Sequence, residues 1–334
     1  MIRIGIPRAL LYYQYYPMWK TFFEELGAEV ITSSPTTQAM LSAGSSRVVA
    51  ETCLPTKIYL GHVLSLMEKC DYLFIPAIYS VKKKSYNCAK LLGLPDMTRA
   101  VISEAPPVLD IDIDVNKGKF RLYSAIYKLG SYLVRNPLRV RRAAKTAWQA
   151  HVDFRKLTCE CNLTLPQAIK KTMGDAFAEG QSECPRTGKE RATIAIIGHP
   201  YLIYDDHINY RLVHRLEQAN NKVVTAEMLT ADELTSATSK LVGNAQWACE
   251  EEVVGAGGYY LGSGCDGVIG VTAFGCGPDS LMMDVVQRYT WSMSVPFMRL
   301  TLDEHTAEAG IVTRIEAFLD MIYHKKEHQV STCA

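Results

Sequence analysis

A strand, an irregular loop, a helix and a second strand follow one another twice along this chain of 334 residues, and this repeat most constrains the fold. In the first copy, Pro7 ends the opening strand and Val30 lies in the next strand, 23 positions later. In the second copy, Pro200 and Val223 have equivalent places and the same spacing of 23 positions. Strands that alternate with helices predict parallel sheets with helices on their faces. We therefore expect an α/β protein with two Rossmann-like parallel-sheet lobes.

The repeats also predict the domain organisation. An N-terminal Rossmann-like lobe is expected over residues 1–114 and a C-terminal lobe over 191–334, joined by a basic helical segment over 115–190. The parallel continues in the buried-strand patterns Asp71–Pro76 and Asp266–Val271. The same order of strands and helices also arises in α/β proteins without duplication, so a duplicated origin is one of two interpretations.

The segment 115–190 is predicted to be helical and strongly basic. Its 15 Lys and Arg and 6 Asp and Glu give a net charge of 15 − 6 = +9, whereas the whole chain carries +1. The run Arg139–Arg142 could bind the phosphates of a nucleotide-like ligand or an acidic partner, or it could form a solvated helical face. Nucleic-acid binding is not expected, because the overall charge is balanced and the sequence has no recognisable nucleic-acid-binding motif.

Composition predicts a soluble, cytoplasmic protein that can bury substantial cores. Hydrophobic residues make up 48% of the chain and charged residues 21%. No apolar run approaches the roughly 20 residues that cross a membrane, and Met1–Pro7 has the pattern of a strand rather than of a signal peptide. The ten cysteines are therefore expected to be mostly reduced, as metal ligands or buried thiols rather than disulfides.

Three cysteines lie in phrases typical of reactive centres: Cys53, Cys88 and Cys276. Cys53 and Cys276 precede a proline and a helix-like stretch, where the positive end of a helix dipole favours a thiolate. Cys276 follows a strand that ends near Ala273, and Cys88 follows a strand that ends near Pro76, in equivalent positions of the two lobes. Ligands of parallel sheets bind outside the carboxyl ends of the strands. We therefore expect a site shared across a cleft between the lobes.

Isolated cysteines favour an iron–sulfur cluster over structural zinc. The sequence has neither Cys-x-x-Cys pairs nor the histidine spacing of zinc fingers. Three thiolates from separate loops suit a [4Fe–4S] cluster whose fourth iron keeps an exchangeable position for substrate. If the cluster is larger, the reserve ligands are Cys184, Cys249 and Cys265. The alternative for Cys249, Cys265 and Cys70 is a role as buried small hydrophobes.

A catalytic cysteine is a further interpretation, and it would need a histidine as base. The candidates are His62, His199, His207 and His305. His199 and His305 come directly after strands, so they are the ones we expect to face the cleft, although a core role is the alternative for His305.

Nucleotide binding through known phosphate loops is not expected. Gly262–Gly267 matches G-x-G-x-x-G, but it precedes the strand Val268–Val271 instead of following a strand. We interpret it as a helix–strand turn and predict no NAD site. The Walker lysine pattern is absent, so ATP hydrolysis by this chain is not expected.

Four stretches of the chain resemble one protein family: Glu51–Lys57, Asp71–Pro76, Phe274–Ser280 and Leu302–Ala317. The chain resembles the acyl-CoA dehydratase activase-related proteins, which belong with the 2-hydroxyacyl-CoA dehydratase subunits and the double-cubane cluster proteins. The resemblance covers both lobes and is weaker in the linking segment.

The resemblance implies an oxygen-sensitive iron–sulfur protein of an anaerobic host. It points to Cys53, Cys88 and Cys276 as the ligands of a [4Fe–4S] cluster or of a larger double-cubane cluster. The chain departs from the relatives next to Cys88: they often have a proline after this cysteine, and here the residue is Ala89. The relatives accept low-potential electrons from an ATP-hydrolysing iron–sulfur activator protein and pair as homodimers or heterodimers.

By the same resemblance, the chain would reduce a small substrate or relay the electron. Lys57, His199 and His305 would orient the substrate or donate hydrogen bonds to the cluster. Two alternatives stay open: a non-catalytic cluster carrier or electron-relay and assembly protein, and a zinc or thiol protein.

Overall fold

The structure, a computed structural model, describes residues 1–174, 190–245 and 247–332. The chain divides into two compact units, each with its own parallel sheet. The first comprises Met1–Phe177 and Gln246–Cys249, and the second comprises Ala178–Ala245 and Glu250–Ala334. The predicted fold class, α/β with two Rossmann-like parallel-sheet lobes, is confirmed.

The first unit is built on a parallel sheet extended by a strand pair. Its strands are β1 (Arg3–Ile6), β2 (Glu29–Thr32), β3 (Tyr72–Phe74), β4 (Ala77–Ser80), β5 (Val108–Leu109) and β6 (Asp112–Asp114). The order in the main sheet is β2-β1-β3-β5, and β4 pairs with β6. Between these two sheets the ladder continues, because the Ile75 N–H donates to the carbonyl of Leu109 (3.0 Å).

Helices of the first unit pack an aromatic core against this sheet. They are α1 (Tyr12–Glu25), α2 (Gln38–Ser45), α3 (Leu54–Leu66), α4 (Ala89–Leu92), α5 (Leu94–Val101), a 3₁₀ turn (Val115–Lys117), α6 (Lys119–Ser131), α7 (Pro137–Cys161) and α8 (Leu165–Met173). Trp19 and Phe23 of α1 lie against Phe74 of β3, with ring centroids 4.6 and 4.9 Å away. Stripping such large rings of water is the main stabilising contribution in this layer.

The second unit repeats the architecture. Its strands are β7 (Thr193–Gly198), β8 (Lys222–Thr225), β9 (Gly267–Ala273) and β10 (Phe297–Leu302). Its helices are α9 (Pro200–Ile203), α10 (Leu212–Gln218), a 3₁₀ turn (Ala226–Met228), α11 (Ala231–Val242), a π-helical turn (Glu251–Gly255), α13 (Ala256–Gly262), α14 (Gly277–Ser292) and α15 (Glu308–Thr332). The short helix α12 (Ala248–Glu250) begins in the first unit and ends in the second. The strand order β10-β9-β7-β8 is the order of the first sheet read from the other edge, and every pairing is parallel.

An aspartate fixes the third strand against the first in both sheets. In the first unit the Arg3 N–H donates to Asp71 Oδ2 (2.8 Å), and in the second the Thr193 N–H donates to Asp266 Oδ2 (2.7 Å). The return bonds run from the aspartate N–H groups to the carbonyls of Arg3 and Thr193. The two lobes therefore share local contacts as well as strand order, while their origin by duplication stays a hypothesis.

Within the described residues, the predicted linking segment forms helices α6, α7 and α8, which belong to the first unit. Its part over 175–189 lies outside the described residues. Asn136 begins α7, since its side chain accepts the Leu138 N–H (2.9 Å) next to Pro137, and Asn162 ends the helix in a left-handed conformation. Tyr15 of α1 stacks on His151 of α7. The predicted boundaries at residues 114 and 190 stay predictions.

Two further sequence interpretations concern single elements. Gly262 ends α13 and Gly267 begins β9, so the glycine-rich stretch between them is a helix–strand turn, as expected. Among the helices of the described residues, none combines the length and apolar character needed to span a bilayer.

A pair of glycines allows α2 and α3 to pack backbone to backbone. A Cβ atom on Gly44 would lie 1.8 Å from the Lys57 carbonyl oxygen, and a Cβ on Gly61 would lie 2.1 Å from that of Met40. Backbone atoms on both sides leave no flexible side chain to move aside. Because α3 carries Cys53 at its start, this contact also positions a candidate ligand.

We expect Gly61→Ala to destabilise the protein by about 1–3 kcal/mol, because the added methyl overpacks this contact. The measurement is the free energy of unfolding by chemical denaturation. Gly310→Ala is the matched control: Gly310 lies in α15 with nothing within 4 Å of its Cβ position, so this change should stabilise by about 0.5 kcal/mol. Equal effects at both glycines would contradict the packing argument.

Candidate functional site

All three cysteines singled out from the sequence are N-cap residues of helices. Cys53 precedes α3, Cys88 precedes α4 and Cys276 precedes α14. A proline stands in the first turn after Cys53 and after Cys276, as predicted. Each thiol is half-buried. Unpaired N–H groups and the positive end of the peptide dipole are found at such positions.

The topology of the second sheet brings two sequence-predicted residues together. In the sheet, β8 lies on one side of β7 and β9 lies on the other. The strand order therefore reverses between β7 and β9. His199 follows β7 directly, and Cys276 follows β9 after a turn at Gly275, whose φ of +79° suits glycine. Both residues thus lie at the carboxyl ends of adjacent parallel strands, which is where open α/β sheets bind ligands.

A buried histidine and aspartate complete this cluster. His199 Nε2 lies 2.6 Å from Asp279 Oδ1, and both side chains are buried. A hydrogen bond also joins the ring of His199 to the side chain of Cys276. Burial disfavours the charged ring, but the pairing with Asp279, the bond to Cys276 and the carboxylate of Glu252 together raise the pKa of His199 to about 10. His199 is therefore an imidazolium at neutral pH.

The cluster of Cys276, His199 and Asp279 has a definite electrostatic character. Within the described residues, neither oxygen of Asp279 has a hydrogen bond of regular geometry, so the ion contact with His199 is what offsets the cost of burying this charge. The face of the imidazolium stacks on Tyr201, with ring centroids 4.9 Å apart. The half-buried thiol of Cys276 lies beside this ring.

Sequence reasoning did not assign Asp279 or Glu252. Asp279 is in the quoted stretch Phe274–Ser280 and occupies the first turn of α14, where a carboxylate is favourable near the helix dipole. Its place in the first turn of a predicted helix, three residues after Cys276, could have pointed to Asp279. Glu252 lies in the π-helical turn, a feature that is frequent at functional sites but has no signature in one sequence.

In the first unit, the residues around Cys53 fix the start of α3. Cys53 Sγ lies 3.2 Å from the hydroxyl of Thr56. The predicted catalytic Lys57 is fully buried, and its ammonium donates to the carbonyl of Ala50 (2.8 Å). Lys57 thus holds the loop before Cys53 against the helix that follows it. Its role towards a substrate stays a prediction.

The histidine candidates differ in their surroundings. His305 is exposed in the turn after β10, where its backbone N–H donates to Asp303 Oδ1 (2.9 Å), and its catalytic role stays a prediction. His207 is half-buried. His62 is fully buried, and hydrogen bonds join its Nδ1 to Ser33 Oγ (2.8 Å) and its Nε2 to Thr36 Oγ1 (2.9 Å). Both ring nitrogens of His62 are therefore engaged in packing the first unit.

The other cysteines divide by burial. Cys70 and Cys265 are buried in equivalent places before β3 and β9, which agrees with a role as small hydrophobes. Cys249 is half-buried, and Cys184 lies outside the described residues. Across residues 1–174, 190–245 and 247–332, no group of three or more His, Cys, Asp or Glu side chains is arranged to hold a metal ion.

Comparison with known protein families gives one match. Residues 3–229, more than half of the chain, match the family described as CoA enzyme activase uncharacterised domain (DUF2229). The matched stretch includes Cys53, Cys88 and His199, and it ends before Cys276. None of the curated proteins compared with the chain matches it.

We expect the buried His62 to make stability depend on pH. Burial, and next the charge of Arg8, lower the pKa of His62 to about 3, below the 6.5 of an unfolded histidine. Its contribution is therefore present above pH 6.5 and is lost as the pH falls towards 3.

When the pH is lowered from 6.5 to 4, the free energy of unfolding should fall both in the unaltered protein and in His62→Gln. The fall should be about 3 kcal/mol larger in the unaltered protein, because only there does His62 have to be protonated. Chemical denaturation at a series of pH values measures both. His305→Gln is the control for replacing a histidine at an exposed position. A His62→Gln profile parallel to that of the unaltered protein would contradict the assignment.

Proposed function

We propose that this chain, which belongs to the family of the CoA enzyme activase uncharacterised domain, is an iron–sulfur protein that receives low-potential electrons from an ATP-dependent activator. It then reduces a small substrate or relays the electron. The observation that carries the proposal is the cluster of Cys276, His199 and Asp279, in which a buried cation and carboxylate support a thiol at the ligand-binding edge of a parallel sheet.

The donor chemistry fits a cluster of this kind. Thiolates are the ligands that iron–sulfur clusters take, and three thiolates leave one iron of a [4Fe–4S] cluster open. The ligands we propose are Cys53, Cys88 and Cys276, each half-buried at a helix N-terminus. A double-cubane cluster is the larger version of the same proposal. When bound, such a cluster would store and pass on single electrons at low potential.

The protein would contribute hydrogen bonding and charge. His199 would hold a proton next to Cys276 at neutral pH, and hydrogen bonds to ligand sulfurs raise the reduction potential of iron–sulfur sites. Asp279 would keep the ring of His199 in orientation and charged. Thr56, 3.2 Å from Cys53 Sγ, would act similarly on the second thiol. Lys57 and His305 remain proposed contributors to substrate orientation.

The partner we propose is an ATP-hydrolysing iron–sulfur activator. The family description names a CoA enzyme activase, which supports a working relationship with such a protein. Pairing with a second copy or a related subunit, in the cytoplasm of an anaerobic organism, is part of the same proposal. A cluster carrier or assembly protein without turnover would share the ligands and differ only in lacking a substrate.

We expect anaerobically purified protein to be brown and to contain iron and sulfide, and Cys276→Ser to lose most of the iron because one of three thiolates is removed. Iron and sulfide analysis with visible absorption measures both. Cys161→Ser is the matched control, since Cys161 is exposed at the end of α7 and should be dispensable.

Two results would overturn the cluster. A colourless protein with stoichiometric zinc would support the zinc or thiol alternative, and full iron retention in Cys276→Ser would remove Cys276 from the ligand set.

Bleaching of the visible absorption by activator and ATP, but not by activator alone, would support electron transfer from the proposed partner. Bleaching that is followed by return of the oxidised spectrum on adding a substrate separates a reductase from a carrier.

A thiol enzyme is the second candidate, and the bond between His199 and Cys276 favours it. In a nucleophilic cysteine site, an imidazolium beside the sulfur activates it and a carboxylate orients the ring. The arrangement of Cys276, His199 and Asp279 has those three parts.

In metal-free protein we expect Asp279→Asn to slow alkylation of Cys276 by iodoacetamide about tenfold, because the ring loses its counter-charge. Mass spectrometry of the labelled peptide follows the rate at Cys276, and the rate at exposed Cys161 in the same sample is the internal control. An unchanged rate at Cys276 would contradict the electrostatic coupling. Catalytic turnover by iron-free protein would favour the thiol enzyme over the cluster.

A further inference from the structure

A cavity of about 50 Å³ lies within the first unit. Ile6 and Pro7, at the end of β1, form one side of it, and Ile75 and Pro76, after β3, form another. In the sheet, β2 lies on one side of β1 and β3 lies on the other. The strand order therefore reverses between β1 and β3. The cavity therefore lies where open α/β sheets bind ligands.

The second unit uses the corresponding place for Cys276 and His199, which follow β9 and β7. In the first unit the corresponding lining is almost entirely apolar. The same edge of the repeated fold thus has different chemistry in the two units.

The cavity wall includes the polar side chain of Tyr12. Tyr12 of α1 is 5% exposed, and within the described residues its buried hydroxyl has no hydrogen bond. Its ring is held by Tyr13 and Tyr16, at centroid distances of 5.4 and 4.6 Å. Leaving a buried hydroxyl unpaired is unfavourable, and the group would gain a hydrogen bond from a ligand with an acceptor oxygen. Burial raises the pKa of Tyr12, so this hydroxyl keeps its proton and can donate a hydrogen bond.

We propose that this cavity binds a short, uncharged molecule, or the short uncharged end of a larger one, whose carbonyl oxygen accepts a hydrogen bond from Tyr12. The volume sets the size, since a cavity of about 150 Å³ holds benzene and this one is a third of that, so about two to four non-hydrogen atoms fit. The side chains that line the cavity are uncharged, so burying a charged group among them would be unfavourable.

The helices that begin at Cys53 and Cys88 both contribute to the cavity wall. Tyr59 comes from α3 and Leu91 from α4, three residues after Cys88. A molecule in the cavity would therefore be held between the two helices that start with candidate thiols. The proposed site stands on its own geometry and does not require a cluster.

Acetone is a suitable probe, because it is uncharged, has four non-hydrogen atoms and carries a carbonyl oxygen. We expect titration of the full chain with acetone, followed by methyl NMR, to give saturable shifts at Ile6, Ile75 and Ile78. The methyl groups of Ile194 and Ile269 in the second sheet should stay unchanged. Absence of saturable shifts at the cavity methyls would overturn the proposal.

Tyr12→Phe tests the hydrogen bond. It should weaken acetone binding about three- to tenfold while leaving xenon binding at the same methyls unchanged, since xenon accepts no hydrogen bond. The melting temperature should stay equal or rise, because the removed hydroxyl has no hydrogen bond within the described residues. Tyr13→Phe is the matched control, because Tyr13 neighbours Tyr12 in α1 and does not line the cavity, so acetone binding should be unaltered.

Leu91→Phe tests the volume and should abolish binding of both acetone and xenon by filling the cavity. Unaltered acetone affinity in Tyr12→Phe would overturn the role of the hydroxyl. A lower melting temperature in Tyr12→Phe, together with no acetone binding to the unaltered protein, would mean that the cavity holds structural water and would also overturn the proposal.

Discussion

Parallel pairing of the first and third strands of each unit is the constraint on which the rest of this structure depends. Because β1 pairs with β3 and β7 pairs with β9, the second strand of each unit has to lie on the opposite side. The strand order then reverses between the paired strands, and the loops that leave them open a crevice at their carboxyl ends. An aspartate, Asp71 or Asp266, fixes this pairing at its other end by accepting a backbone N–H of the first strand. The location of both candidate sites follows from these contacts.

In the second unit this edge contains a buried ion pair. A buried aspartate is costly, and Asp279 is buried opposite one cation, His199, with which it makes an ion contact of 2.6 Å. Such a pair contributes little net stability, since its attraction is set against the desolvation of both groups. The contact of the pair with the neighbouring thiol of Cys276 is therefore of more interest than its contribution to folding free energy.

The sequence allowed the fold and much of the candidate site to be predicted, because both leave local signals. Apolar runs that alternate with helical spacing indicate parallel sheets, and a proline soon after Cys53 or Cys276 indicates where a helix begins. The partners of the cysteines could not be predicted, since His199 meets Cys276 and Asp279 only through the pairing of β7 with β9. Burial is equally non-local: Lys57 looks like a free cation in the sequence, yet its ammonium serves the carbonyl of Ala50. His62 looks like a candidate base, yet two hydroxyls occupy its ring.

The contrast between the two crevices has a physical consequence for how they could divide a task. The cluster of the second unit places a thiol beside a buried ion pair, an arrangement that suits ligation or nucleophilic attack. The apolar cavity of the first unit, where the Tyr12 hydroxyl has no hydrogen bond within the described residues, would select by size and by a single acceptor oxygen. The two properties are not compatible in one site, because the polar groups around Cys276 would attract water into an apolar cavity. Repetition of the same sheet gives each property a crevice of its own, and the residues after the first and third strands, rather than the fold, decide which property each unit has.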